Sequence, residues 1–350
     1  VWTIARGDCT IIAENRTQAT TNERCVLLSE EFTVTDKNRA QRAGVSTIVK
    51  AVATSFALLH ASAWAQGPEV PDTEGTGPFP AIKEEVASLP AHVVYRPRDL
   101  SKLGDKKLGV VAWGNGGCSD DGASSRLHLL QIASYGYLVI ANGTIKSSPG
   151  TQPSPPPAPR PDGQLPPPAT SAKQLIEAID WALAENARQG SDYFGRIDPS
   201  AIAVSGFSCG GLQALQIADD KRIRTLVIHN SGIFKPENAV RLPSMDLGKE
   251  TLKKLHTPII YIQGGPTDIA YENGMDDYRR IDHVPAAIAN LDVGHGGTFH
   301  EPNGGRAAQV AVAWLEWQLR GDEQAKQWFV GADCRLCKDA DWKYESKNLK

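Results

Sequence analysis

The sequence predicts an α/β protein, a mainly parallel sheet with helices on both faces. Three observations carry this. Short apolar runs at residues 108–113, 137–141, 201–205, 225–228 and 258–262 have the length of buried strands. Segments with apolar residues at three- and four-residue spacing lie between them, as at Leu127, Leu130 and Ala133. Glycine-rich loops follow several of the runs, the positions at which such sheets place their chemistry.

The chain has no initiating Met, and its only methionines are Met245 and Met275. Residues 1–44 are polar and without clear periodicity, and are expected to be an upstream extension or a disordered segment. Residues 45–65 combine Lys50, an apolar stretch and an Ala63-Trp64-Ala65 cleavage signature before Gln66, which predicts a signal peptide. Residues 66–350 are then expected to form one catalytic domain. A net charge of −3 gives no indication of nucleic acid or an anionic membrane surface as partner, and 41% hydrophobic residues suffice for a sizeable core.

Residues 66–90, rich in Gly, Pro and acidic side chains, read as an extended lead-in. Residues 92–96 read as an edge strand stopped by Pro97. Residues 108–113 read as a buried strand entering the loop Gly114-Asn115-Gly116-Gly117-Cys118. A helix is expected over 126–135 and a strand over 137–141. Ten prolines in residues 149–168 exclude helix and central strand, so this insertion is expected to be polyproline or coil bordering the site. Ser171-Ala172-Lys173-Gln174 is a capping box opening a helix with Leu175, Ile176, Ile179 and Leu183 on one face. Strands at 225–228 and 258–262 flank a helix at 251–256, with His256 as its cap. The last strand is expected at 286–291 and a closing helix at 307–320.

The chemistry centres on Gly206-Phe207-Ser208-Cys209-Gly210-Gly211, between the 201–205 strand and a helical run from Leu212 to Ala218. A strand, a Gly-x-Ser-x-Gly turn and a helix present a serine at the edge of a sheet, on a turn too tight for flanking side chains. A neutral hydroxyl is a weak nucleophile and needs a base. His295, in the loop Gly294-His295-Gly296-Gly297 after the last expected strand, is the candidate, with His300 in reserve. His229 also follows a strand but lacks flanking glycines. A carboxylate must orient the imidazole. Asp268 follows the 258–262 strand and is better placed than Asp276, Asp277 or Asp292. Two N–H donors are needed for an oxyanion: the backbone of Cys209, and Asn115 with Gly116 as alternative. Both cysteines that border this hole, Cys118 and Cys209, are expected to form a disulfide that pins it. Cys334 and Cys337, a lone CxxC, are expected to form a small structural disulfide.

The segments Gly206–Gly211, Asp268, His295 and Trp113-Gly114-Asn115-Gly116-Gly117 resemble the α/β-hydrolase superfamily. The chain is most similar to its dienelactone-hydrolase-like, chlorophyllase-like and polyester-hydrolase-like serine esterases, over about residues 92–320. Trp113-Gly114 stands where that branch often has His-Gly or Pro-Gly. The resemblance implies an α/β-hydrolase fold and a secreted or periplasmic serine esterase acting on a small-molecule or polymeric ester. Such chemistry needs no cofactor, no metal-ligand cluster is visible, and no stable membrane insertion is expected after leader removal. A serine peptidase or amidase on the same fold, and a non-catalytic binding protein, are the competing expectations.

Overall fold

A nine-stranded sheet organises the residues that the computed structural model describes, 70–149, 167–235 and 247–350. Its strands are β1 (Ala81–Glu85), β2 (His92–Pro97), β3 (Leu108–Gly114), β4 (Tyr137–Asn142), β5 (Ile197–Phe207), β6 (Thr225–His229), β7 (Ile259–Gln263), β8 (Ala286–Leu291) and β9 (Trp342–Lys347). The spatial order is β1-β2-β4-β3-β5-β6-β7-β8-β9. The six strands from β4 to β8 in that order run parallel, while β1, β2 and β9 pair antiparallel at the two ends. Order reverses between β3 and β5, which opens a crevice at the strands' carboxyl ends.

Alternation along each strand divides the core into two layers. Val110, Ala112, Ile202, Val204, Leu226 and Ile228 face one side, Val111, Trp113, Ala203 and Val227 the other. The first layer is covered by α2 (Ala172–Ala187), α3 (Cys209–Gln216) and α4 (Tyr271–Arg280). The second is covered by α1 (Arg126–Ala133) and α5 (Gly305–Arg320). Near-continuous apolar strands follow from this double coverage. The capping box is present: Ser171 N–H donates to Gln174 Oε1 at 2.9 Å.

Four expectations are corrected. The lead-in contains β1, whose Ala81-Ile82-Lys83-Glu84-Glu85 lacks a repeating apolar face because it lies at the sheet edge. As a result β2 is internal, paired on both sides, and is not an edge strand. The strand at 286–291 is not the last, since β9 adds antiparallel to it with Trp342 buried. The segment expected as a helix at 251–256 is a 3-10 turn, Lys249–Lys254, and His256 does not cap it. Its Nε2 bonds the Asp220 carbonyl at 3.1 Å. Helix α4 has no counterpart among the sequence expectations. The proposed extension and leader, and residues 150–166 of the proline-rich insertion, lie outside the described residues.

The Cys334–Cys337 disulfide closes a tight turn near the C-terminus. Beside it Trp317 stacks on Phe329 and Trp314 meets both edge-on, which ties the C-terminal segment to α5.

Candidate active site

Strand β5 ends at Phe207 and α3 begins at Cys209, so a single residue makes the turn. Ser208 has φ 53° and ψ −119°, a region costly for a residue with a side chain. The strain is held from below. Ser208 N–H donates to the His229 carbonyl at 3.0 Å, and Ser231 Oγ donates to the Ser208 carbonyl at 2.7 Å. The glycines around it are there for close approach. A Cβ on Gly206 would collide with the backbone of Gly210, and one on Gly210 with the Gly114 carbonyl. Strand β3, the turn and the first turn of α3 are therefore in backbone contact.

His295 and Asp268 arrive from the loops after β8 and β7. Ser208 Oγ lies 3.0 Å from His295 Nε2, and His295 Nδ1 lies 2.6 Å from Asp268 Oδ1. An ionised Asp268 can only accept, so Nδ1–H donates to it and Nε2 is free to accept the serine proton. Asp268 is buried and receives three further donors. Ala270 N–H reaches Oδ1 at 2.8 Å; Gly264 N–H and Asn230 Nδ2 reach Oδ2 at 3.2 and 3.0 Å. Burial pushes this carboxyl up, but the hydrogen bonds from His295, Ala270 and Gly264 together with the imidazole charge outweigh it and hold it below its ordinary value.

Asn230 was not singled out from the sequence. It sits directly after β6 with φ 43°, and its Nδ2 also donates to the Gly294 carbonyl, the residue before His295, at 3.1 Å. One amide thus holds the Asp268 carboxylate and the His295 loop together. An asparagine just past a strand's carboxyl end, tolerant of left-handed backbone, was the available signal.

The loop after β3 turns through a short 3-10 segment, Gly116–Cys118, with Asn115 at its start. The Asn115 side chain points inward, donating to the carbonyls of Asn142 at 2.6 Å and Ser119 at 3.0 Å. Its backbone nitrogen lies against the first turn of α3, 2.6 Å from where a Gly210 Cβ would stand. Gly116 packs on the Phe207 ring. Cys118 is bonded to Cys209, with 5.2 Å between their Cα atoms.

The other candidates are engaged elsewhere. His300 is exposed. Asp292 accepts from Thr267 Oγ1 at 3.0 Å, while Asp276 and Asp277 bind Lys249 Nζ at 2.8 and 2.7 Å. Burial pushes the Asp277 carboxyl up to about 6, against the pull of Lys249, the Ile233 N–H and Tyr261. His229 is fully buried beneath the Ser208 turn. Its ring meets His128 edge-on at 4.7 Å, within a cluster completed by Trp113 and Phe299. None of the four nitrogens of these two histidines has a hydrogen-bond partner among the described residues. Burial lowers His128 to about 3 and His229 well below the ordinary value, the latter with a further contribution from His128. Phe299 touches Phe207, which in turn lies 5.3 Å from the His295 ring.

A cleft of about 450 Å³ opens over Ser208 and His295. Leu212, Phe234, Ile269, Ala270 and Pro168 make its walls largely apolar, and Asn230 and Asn273 add two amides. Ile269, 81% exposed, lines it and follows Asp268 in sequence, and the exposed Val293 stands two residues before His295.

A parallel sheet with helices on both faces, carrying a strained serine turn after its fifth strand, is an α/β-hydrolase fold. The chain is similar to a cutinase of Thermobifida fusca (strain YX), 28% identical over 207 residues, which is 57% of this chain. The matched stretch spans 58% of that cutinase's own length. This weak homology supports the α/β-hydrolase superfamily. No family model matches the chain.

Proposed function

We propose that this protein is a serine hydrolase of carboxylic esters, with Ser208 as nucleophile, His295 as base and Asp268 as the group that orients it. The observation that carries this reading is the unbroken hydrogen-bonded series from Ser208 Oγ through His295 to Asp268, facing an apolar cleft. Ser208 Oγ attacks the ester carbonyl carbon while His295 Nε2 takes its proton. The tetrahedral oxyanion accepts hydrogen bonds from the backbone N–H groups of Cys209 and Asn115. As the carbon–oxygen bond breaks, His295 returns the proton to the leaving alcohol, and the acyl group stays on Ser208. Water then attacks the acyl carbon, gives its proton to His295, and collapse of the second intermediate returns that proton to Ser208 Oγ. Asp268 stabilises the imidazolium in both halves of the cycle.

The substrate is an ester, small or polymeric, whose apolar part fits the walls formed by Leu212, Phe234 and Ala270. Residues 45–65 act as an export leader and 66–350 as the catalytic domain, which places the enzyme outside the cytoplasm. The two disulfides are in keeping with an oxidising compartment. Among the described residues no helix is long and apolar enough to cross a membrane. The test is turnover of a short p-nitrophenyl ester by the wild type and Ser208→Ala. The reading expects kcat to fall by roughly 10⁶ in the variant; a variant with unchanged turnover would overturn it.

A further inference from the structure

The Cys118–Cys209 disulfide joins more than two loops. Cys209 is the residue after the nucleophile, begins α3 and lines the cleft. Cys118 is fully buried and ends the turn that starts at Asn115, whose carbonyl accepts the Cys118 N–H at 3.1 Å. Its own carbonyl accepts the Ala169 and Thr170 N–H groups at 3.1 and 3.0 Å and the Thr170 hydroxyl at 3.0 Å. Gln213 of α3 closes the circuit, donating Nε2 to the Thr170 carbonyl at 2.8 Å. The oxyanion loop, the start of α3 and the cleft wall at Pro168 therefore meet at one sulfur–sulfur bond. Cys118 has φ 47°, a left-handed backbone that a side chain disfavours and that its surroundings must hold. The disulfide is one of the contacts that hold it there, and the Asn115 carbonyl is bonded to the same residue.

We propose that this disulfide is a positioning element of the reaction, open to dithiol reductants through the cleft, and that its reduction converts the protein to a folded form of low kcat. The proposal rests on the serine-hydrolase reading above. Chemically, a thiolate of the reductant attacks Sγ of Cys209, the partly exposed partner, and the Cys118 sulfur leaves as a thiolate and takes up a proton. The second thiol of the reductant then attacks the mixed disulfide, releasing Cys209 and closing the reductant's own disulfide. Two electrons and two protons pass to the protein. Occupancy of the cleft blocks the first step.

The experiment uses the mature protein carrying Cys334→Ser and Cys337→Ser, which removes the remote disulfide and leaves activity unchanged. Dithiothreitol is titrated while thiols are counted by mass spectrometry, and fold is followed by circular dichroism. kcat and KM on a p-nitrophenyl ester and the rate of Ser208 labelling by a fluorophosphonate are read at each step. The expected result is a kcat loss of about 10²-fold, the value of one oxyanion donor, with KM little changed and the dichroism unaltered. Fluorophosphonate labelling slows in parallel, and protein already labelled at Ser208 is reduced more slowly. The double variant Cys118→Ser, Cys209→Ser should show the same low kcat with or without reductant. An unchanged kcat with both thiols free would overturn the proposal, as would a disulfide that resists reduction until the protein unfolds. Absence of labelling in the oxidised protein would instead refute the serine-hydrolase reading, so the two failures are distinguishable.

Discussion

The buried pair His128 and His229 makes this protein's stability fall steeply in mild acid. Both rings are fully buried and lack hydrogen-bond partners among the described residues, so the folded state holds them neutral. The unfolded chain protonates them near pH 6.5. Their folded pKa values are depressed, so the stability they contribute is complete above pH 6.5 and is lost as pH falls from there towards about 3, the folded value for His128. At pH 4.5 an unfolded His128 is almost fully protonated and a folded one almost fully neutral. The linkage relation then gives a loss of about 3 kcal/mol relative to pH 8 for His128 alone. Asp277 acts in the opposite direction. Its folded carboxyl, raised to about 6, contributes stability below its unfolded value that disappears as pH rises through 6. Between pH 8 and 4.5 it offsets about 2 kcal/mol. A comparison of variants separates the two. Urea unfolding of the wild type and of His128→Phe should be measured at pH 8 and pH 4.5. The variant loses its packing fit equally at both values, while the acid-dependent loss shrinks by about 3 kcal/mol. Equal differences between the two proteins at both pH values would refute the reasoning.

Other perturbations reach the site through named contacts. Asn230→Ala removes the amide that joins Asp268 to the His295 loop and should lower kcat about 10- to 10²-fold with KM nearly constant, as steady-state kinetics will show. Gly210→Ala drives a methyl group into the Gly114 carbonyl and should lower the thermal midpoint and abolish turnover, measured by calorimetry and ester assay. Leu212→Trp fills the cleft one helical turn from Ser208. It should shift preference towards shorter acyl chains across a p-nitrophenyl ester series, with little change for the acetate.

Much of this architecture could be read before any coordinates. Strands β3 to β8 are buried on both faces, so their apolar runs stand out, and the elbow advertises itself because backbone contact demands glycine at Gly206 and Gly210. Edge strands lack that signal. β1 has three charged residues of five, and β9 alternates Trp342 and Tyr344 with polar and charged residues. Helix α4 was invisible because only Gly274, Asp277 and Tyr278 of its residues are buried, so it has no apolar stripe. The three residues Ser208, His295 and Asp268 could be chosen from strand-end positions and chain order. Asn230 left only the weak signal of an asparagine just past a strand end, and the roles of Phe207, Phe299 and the buried histidines arise from contacts between segments far apart in sequence.

Ser208 as the acylated residue is the centre of this account. Quenched reaction with a slowly hydrolysed p-nitrophenyl ester, followed by peptide mass mapping, tests it directly. The account predicts one acyl group on the peptide that contains Ser208, absent in Ser208→Ala. Turnover that proceeds with no acyl group on that peptide, or with the group on another residue, would contradict it.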